Sequence, residues 1–164
     1  MTAVGISKGY VPGSIGRVVE LHGIYYAKHW GFGPFFEAKV AAEISEFIGR
    51  YDETRDGLWT ASAAGRVEGS ITIDGLRAGE QGAHLRWFIV GDGLRGTGIG
   101  HCLIRTALGF CRDRAYRSVY LWTFEGLDAA RHLYEKEGFR LAEERRGTQW
   151  GTPVNEQRFV LRLA

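Results

Sequence analysis

The sequence predicts a mixed α/β (α+β) fold: a mixed sheet of six to seven strands with helices on both faces. Segments of helical and strand periodicity follow one another in the order ααβββαβαββ, with a strand before the first helix left open. Helices alternate with strands only in the middle of the chain, which excludes a doubly wound parallel sheet. Twenty-four glycines are scattered without period through 164 residues, so tight turns are many and low complexity is absent. With no linker, repeat or composition break, residues 1–164 read as one domain.

The first helix spans Ser14 to about Trp30, with Ile15, Val18, Val19, Leu21, Tyr25 and Tyr26 near helical spacing and Ser14 as its N-cap. Gly31-Phe32-Gly33-Pro34 breaks it. The second helix runs from about Phe35 to Tyr51, with Phe36, Val40, Ile44, Phe47 and Ile48 on one stripe. Leu58–Ala63 and Arg66–Asp74, joined by Ala64-Gly65, read as a hairpin. Ala83–Val90 is rich in β-branched and aromatic residues, as a strand should be. Helical spacing returns at Ile99, Leu103, Ala107 and Cys111. A strand over Ser118–Thr123 precedes a helix from about Asp128 to Lys136, closed by Gly138 at C′. Strands near Leu141–Trp150 and Glu156–Leu163 end the chain.

A 45% hydrophobic and 24% charged composition fits a soluble globular domain. No run of 18 apolar residues predicts a membrane span, and the N-terminal residues lack the pattern of a secretory signal, so a cytoplasmic protein without membrane contact is expected. A net charge of +2 is too small to argue for nucleic acid. Cys102 and Cys111 fit neither a metal knuckle nor a redox pair and read as reduced core residues; no metal site is expected. Trp59, Trp87 and Trp122, all on strands, read as core.

The most informative stretch leads from strand His84–Val90 through Gly91-Asp-Gly-Leu to Arg95-Gly96-Thr97-Gly98-Ile99-Gly100 and straight into a helix. Glycines let the main chain approach an anion, and free N–H groups at a helix N-terminus favour negative charge. A phosphate or pyrophosphate is the expected guest, an ordinary turn the plainer alternative. A Walker loop would need Gly-Lys-Ser/Thr where Gly100-His101-Cys102 stands. A dinucleotide fingerprint would need different glycine spacing and a position in the first βα turn.

Arg95–Gly100 matches the Q/R-x-x-G-x-G/A loop of the GNAT superfamily of N-acyltransferases, and Ala130-Arg-His-Leu133-Tyr134-Glu-Lys-Glu-Gly138-Phe139 resembles that family's A-x-x-L-Y-x-x-x-G-F helix. The resemblance spans nearly the whole chain and is strongest to the acetyltransferase modules fused to MarR-type regulators, through His29-Trp-Gly-Phe, Leu85-Arg-Trp-Phe-Ile-Val, Tyr120-Leu-Trp-Thr-Phe-Glu-Gly126 and Gly147-Thr-Gln-Trp150. One departure is Leu127, where the family often places an Asn near the pantetheine arm; Asp128 stands beside it.

The resemblance implies a mostly antiparallel sheet with a splayed central strand pair and a bulge in the fourth sheet strand, acetyl-CoA as cosubstrate, and direct attack by an amine. It implies that the main chain of Phe88, Ile89 and Val90 binds the thioester and pantetheine. The amides of Arg95, Gly96, Thr97, Gly98, Ile99 and Gly100 would hold the pyrophosphate, with Asp128 and Tyr134 completing the cofactor site. Tyr134 stands at the family's general-acid position, with helix packing as its alternative role. His84, which strand alternation places on one face with Arg86 and Phe88, is the candidate base, with a structural histidine as the alternative. Glu37, then Glu125, are further candidates; Trp30, Phe32, Phe35 and Phe36, with His29 beside them, are candidates for the wall of an acceptor pocket. Expected partners are a small-molecule or peptide amine and a second copy of the chain. A non-catalytic acyl-CoA sensor and a regulatory partner protein are the competing readings of the same fold.

Overall fold

Local chemistry sets the element boundaries. The computed structural model describes residues 3–163. It holds β1 (Val4–Lys8), α1 (Ser14–Trp30), α2 (Pro34–Gly49), β2 (Gly57–Ala63), β3 (Arg66–Asp74) and β4 (Ala83–Val90). A short 3₁₀ turn (Asp92–Leu94) leads to α3 (Ile99–Asp113), β5 (Ser118–Phe124), α4 (Asp128–Lys136), β6 (Arg140–Gly147) and β7 (Val154–Arg162). Pro34 opens α2, where its missing N–H has no helical partner to lose. Ala64 and Gly65 both take positive φ, 52° and 75°, the pairing that a tight two-residue hairpin needs.

The Gly-Phe that follows α4 has a structural explanation. Gly138 takes φ 102° and its N–H donates to Glu135 O, while the Phe139 N–H donates to Tyr134 O at 3.0 Å. This C-cap ties off the helix and brings the Phe139 ring within 5.8 Å of the Tyr134 ring. The motif thus locks Tyr134 at both its backbone and its side chain.

Several expectations are corrected. The strand left open at the start is β1, antiparallel to β2 at the sheet edge. Gly13, with φ 87°, is the N-cap of α1; Ser14 is the first helical residue, and its hydroxyl accepts from the Val11 N–H. The sixth strand ends at Gly147, and residues 148–153 form a loop before β7. Cys111 is buried but Cys102 is exposed. Nine residues are two and a half helical turns, which aim the two thiols in opposite directions.

All seven strands join one sheet in the order β1-β2-β3-β4-β5-β7-β6. Every pairing is antiparallel except β4 with β5. Alternation along the strands sorts the core into two layers. Trp59, Ile71, Leu85 and Leu121 pack with Leu103, Ile104 and Leu108 of α3 and Tyr134 of α4. On the other face, Phe124, Val154 and Trp87 pack with Val18 of α1 and Phe36, Val40 and Ile44 of α2. Among the described residues no helix is long and apolar enough to cross a membrane.

Candidate active site

The parallel pairing of β4 with β5 stops after Ala83↔Val119 and His84↔Tyr120. From Leu85 onward the two strands diverge, and the main chain on that edge of β4 has no strand partner. The cause lies in β4 itself. Its register against β3 slips between Ser70 and Thr72, and Trp87 sits at φ 47°. A non-glycine residue there marks a bulge that bends the strand. The Ser70 hydroxyl donates to Trp87 O at 2.7 Å and so satisfies the carbonyl at the bulge.

The bulge corrects the alternation expected for β4. Arg86 and Trp87 turn toward α1 and α2: Arg86 bonds Glu43 at 2.8 Å, and the Trp87 ring lies 5.6 Å from Phe47. Phe88 turns to the opposite layer and lies 6.0 Å from the Tyr134 ring. Phe88 is therefore on the other face from His84 and Arg86.

The divergence opens a cavity of about 810 Å³ that reaches both faces of the sheet. On the α3/α4 side its wall is mostly main chain. Gly96 and Gly98 take φ 75° and 85°, Gly98 is the N-cap of α3, and no acidic residue occupies the first turn of that helix. The free N–H groups and the helix dipole are left to an anionic guest. Gly100 lies against Val90, Leu133 and Phe88, which seats the helix start beside the open edge of β4. Tyr134 lines this wall, with burial pushing its phenol far above the ordinary range and so keeping its proton in place. The Arg95 guanidinium reaches across the mouth, pairing with Asp92 at 3.0 Å and lying 4.6 Å over the Tyr25 ring.

On the α1/α2 side the wall is made of side chains. His22, Tyr26 and Trp30 follow one another at four-residue intervals along α1 and all line the cavity. His22 Nδ1 lies 2.7 Å from Val18 O, so Nδ1 carries the proton and the neutral ring keeps its lone pair on Nε2. Burial lowers its pKa to about 4, against a smaller opposing effect of that hydrogen bond. Glu43 of α2 pairs with Lys39 on its own helix and with Arg86 of β4. The aromatic spacing of α1 is legible in the sequence, but nothing local marks Tyr26 or His22 as a site residue; Glu43 and Lys39 carry no sequence signal, since charges on a helix read as a solvated face.

The expected residues divide accordingly. Phe88, Ile89, Val90, Arg95, Gly96, Gly98, Gly100, Asp128 and Tyr134 line the cavity; Thr97 and Ile99 do not, and the N–H groups of Arg95 and Thr97 turn back to Asp92 O and Leu94 O, each at 3.3 Å. His84 does not; it stacks 4.4 Å from Tyr120, with burial and then the Arg86 charge lowering its pKa to about 3. Glu37 is exposed and leans on Gly23 of α1. Glu125 is exposed and accepts from Asn155 at 3.0 Å. Trp30, Phe32, Phe36 and His29 border the cavity, whereas Phe35, 61% exposed, rests on Gly151 outside it. Of the three strand tryptophans only Trp59 is fully buried; Trp87 and Trp122 line the cavity.

The Acetyltransferase (GNAT) family model matches residues 15–139. Among curated proteins the chain resembles rat (Rattus norvegicus) N-acetyltransferase family 8 member 2, at 28% identity over 104 residues, 62% of this chain and 46% of that one. It thus spans under half the length of that relative. Among solved structures it matches an acetyltransferase of the GNAT family from Staphylococcus aureus with TM-score 0.73 and 19% identity, covering 99% and 100% of the two chains. It also matches a Salmonella typhimurium chain described as an acetyltransferase and solved with its cofactor acetyl-CoA, with TM-score 0.75, 14% identity, and 99% and 95% coverage.

Proposed function

The chain belongs to the GNAT acetyltransferase family, and from that premise we propose that it transfers an acetyl group from acetyl-CoA to the amine of a small molecule or peptide, by direct attack within a ternary complex. The observation that carries this reading is the break between β4 and β5, which lets one cavity join a glycine-lined helix start on one face of the sheet to a side-chain wall on the other. A cosubstrate and an acceptor can then approach the same point from opposite sides.

In this reading the amides of Gly96, Gly98, Ile99 and Gly100 hold the pyrophosphate, those of Arg95 and Thr97 being already bonded to Asp92 O and Leu94 O, and the open edge of β4 at Phe88–Val90 bonds the pantetheine arm. Main-chain N–H groups at the bulge polarise the thioester carbonyl as negative charge develops on its oxygen. Tyr134, protonated and facing the cavity, gives its proton to the departing thiolate. The ammonium loses its proton on the α1/α2 side, where His22 keeps an unprotonated Nε2 and Glu43 supplies a carboxylate. His84 is a poor candidate for that step, because it stacks on Tyr120 and does not line the cavity. Asp128, at the start of α4, stands near the arm in place of the Asn absent at Leu127.

The test is calorimetric titration with acetyl-CoA followed by an acceptor screen that reads free thiol. Binding with amine-dependent thiol release supports the enzyme. Binding without release for any amine would favour the acyl-CoA sensor instead.

A further inference from the structure

We propose that the acceptor is an amine carried on an aromatic ring system, seated ring-first against the α1/α2 side of the cleft. The inference deepens the acetyl-transfer reading and rests on it. Tyr26, Trp30, Phe36, Trp87, Phe124 and Trp150 all border the cavity on that side. They come from five different elements or loops, so this is a built wall and not the stripe of a single helix.

The rings meet at angles that suit an aromatic guest. Trp30 meets Phe124 edge-on at 4.9 Å, Phe124 meets Trp150 at 5.5 Å and 56°, and Tyr26 stacks on Phe36 at 4.9 Å. A guest ring therefore finds both faces and edges, which are the two favoured geometries of aromatic contact. The wall is also held in place. A Cβ at Gly126 would lie 2.2 Å from the Trp30 ring, and Gly126 has φ 113°, so this loop admits the indole only because the residue is glycine. Trp150 is carried by the loop that Glu156 ties down, accepting from the Gln149 N–H at 3.0 Å and its side-chain amide at 2.9 Å.

Charge argues the same way. Lys39, Glu43 and Arg86 are the charged side chains on this wall; Glu43 pairs with both cations, and the chain of ion pairs runs on through Asp74 to Arg50 and Glu46, three cations against three carboxylates. Among the described residues of this wall no cation is left to demand a carboxylate or phosphate on the acceptor. Ring contact remains as the means of recognition. A short linker then carries the amine to the strand break, and the aromatic faces accept it as ammonium before it is deprotonated.

The test compares 2-phenylethylamine with n-hexylamine, an apolar amine of similar reach without a ring. Binding is read by calorimetry with and without CoA, and turnover by thiol release from acetyl-CoA. The ring-bearing amine is expected to lead by about tenfold or more in affinity and in kcat/KM. Trp150→Ala should shrink that ratio to about threefold or less, and Trp150→Phe, which keeps a ring, should retain most of it. Equal or better performance by n-hexylamine, no ring-amine binding in either state, or an unchanged ratio in Trp150→Ala with acetyl-CoA still bound would each overturn the proposal. The acetyl-transfer reading fails separately, if acetyl-CoA does not bind while the ring preference in amine binding persists.

Discussion

The two walls of the cleft are built from different parts of the polypeptide. On the α3/α4 side the groups that face a ligand are main-chain amides, placed by Gly96 and Gly98 in left-handed conformation and by the uncapped start of α3. On the α1/α2 side they are side chains: an aromatic set with a mutually neutralised charge chain. A wall made of backbone can present only one chemistry, whatever residues flank it, and suits a cosubstrate that does not vary. A wall made of side chains can be rewritten residue by residue and suits a variable acceptor. Tyr134 is the exception, a side chain on the backbone wall, and its neighbours Phe88 and Phe139 pack against its ring.

Tyr134→Phe tests that exception and should have the largest effect. It keeps the ring packing and removes only the hydroxyl, so kcat should fall roughly 10²–10⁴-fold with little change in acetyl-CoA affinity. A fall of about threefold or less would make Tyr134 a packing residue and leave the wall purely backbone.

Gly98→Asp tests the backbone wall directly. It adds a carboxylate where amides should face a pyrophosphate and forces a side chain onto φ 85°. Acetyl-CoA affinity should drop at least about tenfold, equivalent to about 1.4 kcal/mol, while circular dichroism stays native. Unchanged affinity in a folded variant would move the phosphate site elsewhere.

Acid pH should single out the side-chain face, because His22 and His84 both lie on it. Each has a folded pKa below its ordinary value of 6.5, at about 4 and about 3. Between those values and 6.5 the unfolded chain binds more protons than the folded one, so stability is intact above pH 6.5 and is lost as pH falls below it. At pH 5 the loss should be about 2 kcal/mol for each ring. Denaturant melts at pH 7.5 and pH 5 check this, and His84→Gln should remove roughly half of the difference. An equal loss in that variant would assign the acid sensitivity to His22 and the carboxylates.

Ser70→Ala should have the smallest effect. It leaves Trp87 O without the hydroxyl that caps the bulge and should cost about 1–2 kcal/mol, with a several-fold loss of turnover if the bulge relaxes. An unchanged melting curve would show that the neighbouring packing holds the bulge unaided.

The sequence by itself determined the element order from α1 onward, the hairpin turn at Ala64-Gly65, the span of α4 and the glycine loop at Arg95–Gly100. Each is decided within a few residues, by hydrophobic period, by positive φ at glycine or by a helix terminus. Only the tertiary structure decided the rest. Strand alternation predicted one face for His84, Arg86 and Phe88, but the bulge at Trp87 divides them, and a bulge arises from pairing with β3 and not from β4 alone. Nor could local pattern show that His84 would stack on Tyr120 from the neighbouring strand while His22, in the middle of α1, reached the cavity. Glu43 and Lys39 read as an ordinary exposed helix face until α2 was laid over Arg86 of β4. Main-chain geometry is written in short motifs because neighbouring residues set it; a wall of side chains is assembled from distant segments, and only the packing of those segments specifies it.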